Sequence, residues 1–147
     1  MFETKPKVAT VDPVWRRVCE EAVEAIRDEP LLGGLIHSGL LHHGTMERAL
    51  AYRFSLKLAS GEMSEQILRE IADRAFDDDP ELGAAARSDL MAVFERDPAC
   101  HRFIQPLLFF KGYQAVQAYR VGHWLWKSGR IDLAYFCLLY TSPSPRD

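Results

Sequence analysis

The residues from Asp97 to Trp126, DPACHRFIQPLLFFKGYQAVQAYRVGHWLW, leave the chain fewer choices than any other stretch. From Lys111 onward, Ala115, Ala118, Tyr119, Gly122 and Trp126 recur at spacings of three and four, with Val121 and Leu125 beside them. That period belongs to an α-helix, because residues three and four apart share one helical face. Small residues on the stripe let another backbone come close, while Tyr119, Trp124 and Trp126 offer large contact area and are candidate interface residues. The stretch begins with Asp97-Pro98, a carboxylate at an expected helix start, and Pro106 interrupts the segment that follows.

The same period governs the chain upstream. Asp12-Pro13 opens a first helix: Asp accepts from free first-turn N–H groups and Pro is favoured at the first helical position. Trp15, Val18, Ala22, Ala25 and Ile26 line its inner face, which leaves Arg16, Arg17, Glu20, Glu21 and Glu24 elsewhere. A short second helix is expected from Pro30 to about Leu41, weakened by Gly33-Gly34. Thr45 is placed to cap a third helix with Met46, Ala49, Leu50, Phe54 and Leu58, and Ser64 starts a fourth with Ile67, Leu68, Ile71, Ala75 and Phe76. Asp79-Pro80 repeats the opening for a fifth, with Leu82, Ala85, Ala86, Leu90 and Val93 on one side. After the aromatic helix, Ser128-Gly129 marks a stop, and a last helical pattern starts at Ile131 and fades near Cys137. Strand alternation is essentially absent. The expected fold is all-α, a bundle of six to eight helices with short connections.

The 147 residues make one domain, or one domain and a piece of another. With 48% apolar and 27% charged residues there is ample material for a packed core. A net charge of −3 argues against a nucleic-acid grip, which needs a basic excess. No apolar run reaches the roughly 18 residues of a membrane span, and the N-terminus lacks the apolar core of a secretion signal. Cys19, Cys100 and Cys137 form neither a disulfide framework nor a zinc knuckle, so a cytoplasmic setting is expected. Residues 1–11 read as a flexible arm, and the terminal TSPSPRD, with nothing to bury, as a disordered tail.

Two carboxylates are the candidates for ligand contact. Asp97 fits an N-cap, and it equally fits a carboxylate at a loop–helix junction that receives a ligand ammonium or hydroxyl; two oxygens can serve both roles. Asp89 falls on the apolar side of its helix, where a carboxylate must be paired, hydrogen-bonded or facing a cavity. Its alternatives are a share in the Asp97 neighbourhood or a pairing with Arg96, Arg120 or another base. His123, inside the aromatic helix, reads as a packing residue. The five histidines form no metal motif, GxGxxG and GxxxxGK[ST] are both missing, and no nucleophile–base–orienter set can be assembled. No metal and no catalytic residue is assigned.

The run ERDPACHRFIQPLLFFKGYQAVQAYRVGHWLW, Glu95 to Trp126, resembles the most distinctive N-terminal segment of serine O-acetyltransferases, an RDPA followed by PLLxxKGxxAxQAYRxGHWLW. Weaker similarity runs through VWRRVCEEA, LIHSGLLHH and DDDPELGAAARSDLMAV, so the likeness spans roughly residues 14 to 136. The resemblance implies an N-terminal helical domain over residues 12–136, followed in the family by a left-handed parallel β-helix of hexapeptide repeats. It implies transfer of an acetyl group from acetyl-CoA to L-serine, in cysteine biosynthesis. It also implies a homo-oligomer, a hexamer built as a dimer of trimers, and makes Asp97 the residue that meets serine or the inhibitor cysteine.

The family pattern gives way after YFCLL, so residues 137–147 are expected to be a non-matching tail on a fragment that lacks the catalytic half. No family catalytic histidine is carried over, and no cofactor is expected to bind this fragment. The possible complex with cysteine synthase uses, in the family, a C-terminus outside these residues. The rival reading is a non-catalytic helical module that joins proteins through the aromatic helix.

Overall fold

Helix α1 (Pro13–Asp28) begins where the Asp12 side chain accepts the Trp15 N–H at 3.1 Å, with Pro13 supplying a pre-set first turn. Trp15, Val18, Ala22 and Ala25 are buried, as their spacing requires. The computed structural model describes residues 12–139; the arm expected over residues 1–11, and residues 140–147 of the tail, lie outside the described residues.

The second helix is less regular than expected. A 3-10 turn at Pro30–Leu32 runs into the short α2 (Gly33–Ile36), and His37–Leu41 widens into a π-turn. Gly39 in that turn has a reason to lack a side chain: a Cβ there would sit 2.7 Å from Nη2 of Arg53. Helix α3 (Met46–Leu58) is capped by Thr45 and α4 (Glu65–Asp78) by Ser64, each side chain accepting the N–H three residues on. Arg48, near the start of α3, pairs with Asp73 and Asp77 near the end of α4, so the two helices run antiparallel. Asp79 caps α5 (Pro80–Arg96) through the Glu81 N–H at 3.1 Å. The short α6 (Ile104–Leu108) follows, then α7 (Lys111–Lys127) and α8 (Ile131–Leu139). Among the described residues there are eight α-helices and no strand, the all-α class expected.

One core joins the helices. Ile36, Met46, Leu68, Leu90, Val121 and Leu125 are among its fully buried side chains. A polar hinge ties three elements together on its rim: Arg87 of α5 holds Asp12 at 2.6 Å and Glu47 at 2.8 Å. The Glu47 carboxyl is held below its ordinary range by that hydrogen bond. At Asp12, burial pushes the carboxyl up, but Arg87 and the Trp15 N–H outweigh it and the net shift is downward.

Three sequence expectations about the helices need correction. Ile67, expected in the α4 stripe, is 49% exposed, because α4 turns Leu68, Ile71, Ala72 and Ala75 inward instead. Glu21, expected on the outer surface of α1, is 9% exposed and bonded inside the fold. Pro106 does not break α6; it occupies the first turn, where its missing N–H would have had no helical partner. Helix α8 runs through Cys137 and Leu138 to Leu139, and Cys137 is fully buried. Burial pushes its thiol up to about 11.

Candidate functional site

The segment between α5 and α6 holds the sharpest candidate. Asp97 does not open a helix. It ends α5, its N–H bonded to the Val93 carbonyl at 2.9 Å, and turns the chain with φ −92° and ψ 112°. Pro98 enforces that extended conformation on the residue before it, which is why the Asp-Pro pair stops a helix here. The Asp97 side chain caps a turn rather than a helix: Oδ1 accepts the Ala99 N–H at 2.9 Å, and its carbonyl accepts the Cys100 N–H at 2.9 Å. Asp97 is half-buried, and its Oδ2 has no hydrogen-bond partner among the described residues.

The turn is braced from three sides. Gln105 Oε1 receives the N–H groups of both His101 and Arg102. Arg102 pairs with Asp28 at the end of α1, at 3.4 Å. Glu21 of α1 accepts the Ile104 N–H at 3.1 Å and so caps α6 from across the core. Arg17 bonds the second Glu21 oxygen at 3.0 Å, and its guanidinium lies 4.1 Å from the centre of the Phe103 ring and 4.7 Å from that of Phe94. Phe94 and Phe103 themselves meet edge to face at 4.9 Å. These contacts hold the loop that presents Asp97. Periodicity missed Glu21 and Arg17, which looked like surface charges; the available signal was a carboxylate next to Ala22 on the buried flank of α1.

Asp89 is not brought to Asp97. It lies about 12 Å further back along α5, taking the helical rise per residue, and faces α7. There Oδ2 accepts from Gln117 Nε2 and Arg120 Nη2, both at 2.9 Å. The pairing with Arg120 is one of the two readings left open by the sequence. Tyr113, buried beside it, donates its hydroxyl to the Ala86 carbonyl at 2.9 Å, and burial drives the phenol far above its usual range.

The aromatic residues of α7 divide. Tyr119 and Trp126 are 53% and 42% exposed, while Trp124 is half-buried and donates Nε1–H to Asp78 at 2.8 Å. Trp126 meets Tyr135 of α8 edge to face at 5.4 Å, and exposed His123 stacks on Tyr119 at 6.2 Å. The close approach promised by the small residues is made inside the chain: Gly122 is packed against Leu138 and Cys137 of α8. Among the described residues no group of three or more His, Cys, Asp or Glu is placed to hold a metal ion, and no helix is long and apolar enough to cross a membrane.

Comparison with known proteins places this arrangement. Residues 14–118 match the family described as "Serine acetyltransferase, N-terminal". The serine acetyltransferase of Salmonella typhimurium is 44% identical over 123 residues, covering 84% of this chain and 45% of that enzyme. The chain therefore spans about half the length of the curated relatives it matches. A crystal structure of the Brucella abortus serine acetyltransferase in complex with coenzyme A superposes with a TM-score of 0.87 at 37% identity, covering 93% of this chain and 55% of that one. The Neisseria gonorrhoeae enzyme in complex with serine gives 0.85 at 39% identity, covering 94% and 57%. With residues 14–118 matching its N-terminal domain, this chain belongs to the serine acetyltransferase family.

Proposed function

We propose that this domain supplies the serine side of a serine O-acetyltransferase, which moves the acetyl group of acetyl-CoA onto the serine hydroxyl and yields O-acetylserine and CoA. Asp97 is the substrate-contacting residue. The observation that carries this is the division of labour within its carboxylate: Oδ1 is fixed by the Ala99 N–H, and Oδ2 stands without a partner in a loop braced by Glu21, Arg17 and Gln105. A held carboxylate with a spare oxygen suits an ammonium or hydroxyl, since it is an acceptor only and needs no reorganisation to bind. The names of relatives supply the chemistry, one solved with serine and one with coenzyme A. Asp89 plays a supporting part at most, since its contacts hold α5 to α7.

The work of this domain is binding and positioning. We assign it no general base and no acetyl-CoA contact. Residues 12–136 act as the serine-side unit, and Tyr119 and Trp126 on α7 form part of a surface that joins copies of the chain. A cytoplasmic location agrees with a pathway enzyme of this kind.

The test is substitution of Asp97 by Ala and by Asn in a full-length enzyme that carries this domain. Loss of a charge-assisted contact costs about 1.5–3 kcal/mol, so KM for serine rises about tenfold or more while KM for acetyl-CoA stays put. Equal losses toward both substrates would assign Asp97 to the turn alone.

A further inference from the structure

Between α3 and α7, away from the Asp97 loop, lies a cavity of about 230 Å³. Its floor is apolar, made by Leu50, Phe54, Phe76 and Val121. Its polar lining is one-sided: Arg53, Lys57 and Lys111 bring cations, and no Asp or Glu lines it. Arg53 lines the cavity half-buried, with its unbonded Nη2 on the Gly39 side, and burial lowers its pKa with no carboxylate to offset the effect. A buried charge without a counter-ion is costly, so an anion that neutralises it gains accordingly. The start of α7 adds to the positive field, because Phe110 offers no side-chain cap to its first N–H groups.

Two acceptors complete the lining. Gln114 and Gln117 each have a buried Oε1 with no hydrogen-bond partner. Gln117 is 5% exposed, and its Nε2 is committed to Asp89, which fixes which end of the amide remains unsatisfied. Two orphan acceptors call for a donor on whatever fills the space.

We propose that this cavity binds a small monocarboxylate that carries a hydrogen-bond donor and a short branched apolar body. The carboxylate sits among Arg53, Lys57 and Lys111, the donor meets the glutamine oxygens, and the apolar body lies on Phe54 and Phe76. The volume suits a small ligand, since pockets for drug-sized molecules run from roughly 300 Å³ upward. The site shares no residue with the serine reading and stands or falls separately.

The test is calorimetric titration of the full 147-residue chain with 2-hydroxy-4-methylpentanoate, which has all three features. Acetate, lacking the apolar body, and 4-methylpentanamide, lacking the charge, serve as controls. Saturable binding with a Kd at or below about 1 mM is expected, weakened about tenfold by Lys111→Gln or Lys57→Gln and much less evident with either control. Both lysines are exposed, so these variants keep the core intact. Gln117→Leu separates the donor contact from charge and should weaken the hydroxy acid more than 4-methylpentanoate. Absence of saturable binding overturns the proposal, as does equal affinity for acetate or the amide. So does a lysine variant that changes sedimentation but leaves binding untouched, which would identify the cavity as a seam between copies.

Discussion

Glu21 and Ile104 are 83 positions apart in the chain, yet a Glu21 oxygen accepts the Ile104 N–H at 3.1 Å in the interior. The contact starts α6, a helix with no side-chain cap of its own from Phe103. Glu21→Ala leaves that N–H buried and unpaired, which costs about 1–3 kcal/mol. Chemical denaturation should show the loss, and Glu21→Gln, which keeps an acceptor, should recover most of it. Exchange of the Ile104 amide is the local readout: it should accelerate in the Ala variant well before global unfolding.

Arg87 makes the stability of the domain sensitive to acid. The Glu47 carboxyl is held below its ordinary value of 4.5 in the fold, chiefly by its hydrogen bond to Arg87. The unfolded chain therefore binds the proton first, so the stabilisation is complete above about pH 4.5 and drains away as pH falls through the lower folded value. Glu47→Gln should cost about 1.5–3 kcal/mol near neutral pH. Its stability curve should converge on that of the unaltered chain in acid. A constant offset at every pH would locate the effect elsewhere.

The seam between α7 and α8 has little slack. A Cβ on Gly122 would stand 3.1 Å from Cδ2 and 3.3 Å from Cγ of Leu138. Gly122→Val crowds the Leu138 side chain and should destabilise the domain by about 1–3 kcal/mol despite the poor helix propensity of glycine. Thermal melting would reveal it, together with exposure of Cys137 to a thiol reagent, since that thiol is fully buried in the intact fold.

Leu125, fully buried on α7, measures the core itself. Leu125→Ala should cost about 2–5 kcal/mol, the range for an aliphatic side chain deleted from a packed interior. Elsewhere on the helix, Trp126 and Tyr119 are exposed, Trp126 meeting Tyr135 of α8 and Tyr119 stacking on His123. Replacing both with Ser should leave the melting temperature nearly unchanged but shift the chain to smaller species in sedimentation. A chain that sediments identically before and after would remove these two from the contact surface between copies.

Much of the architecture could be read before any coordinates. The three-and-four spacing of Trp15, Val18, Ala22 and Ala25, the caps at Asp12, Thr45, Ser64 and Asp79, and the stop at Ser128-Gly129 are local codes, and each appears where expected. The π-turn at His37–Leu41 was not legible, since the expected helix from Pro30 to Leu41 carries no spacing that marks such a widening. Asp97 shows the limit of a local code. The same Asp-Pro pair caps a helix at positions 12 and 79, the second while also ending α4, whereas at 97 it ends α5 and caps only a turn.

Sequence alone determined the all-α class, the starts of α1, α3, α4 and α5, and the family, since caps, period and the PLLFFKGYQAVQAYRVGHWLW string are properties of neighbouring residues. Tertiary structure decided which charges became internal parts. Glu21 and Arg87 look alike as solvated side chains on a helical wheel, and Asp89, on the apolar side of its helix, has several bases open to it as partners. Only the approach of α6, α3 and α7 turns them into a cap, a hinge and a tie between helices. The reason is that desolvation is set by what packs against a residue from afar, which no spacing along one helix encodes.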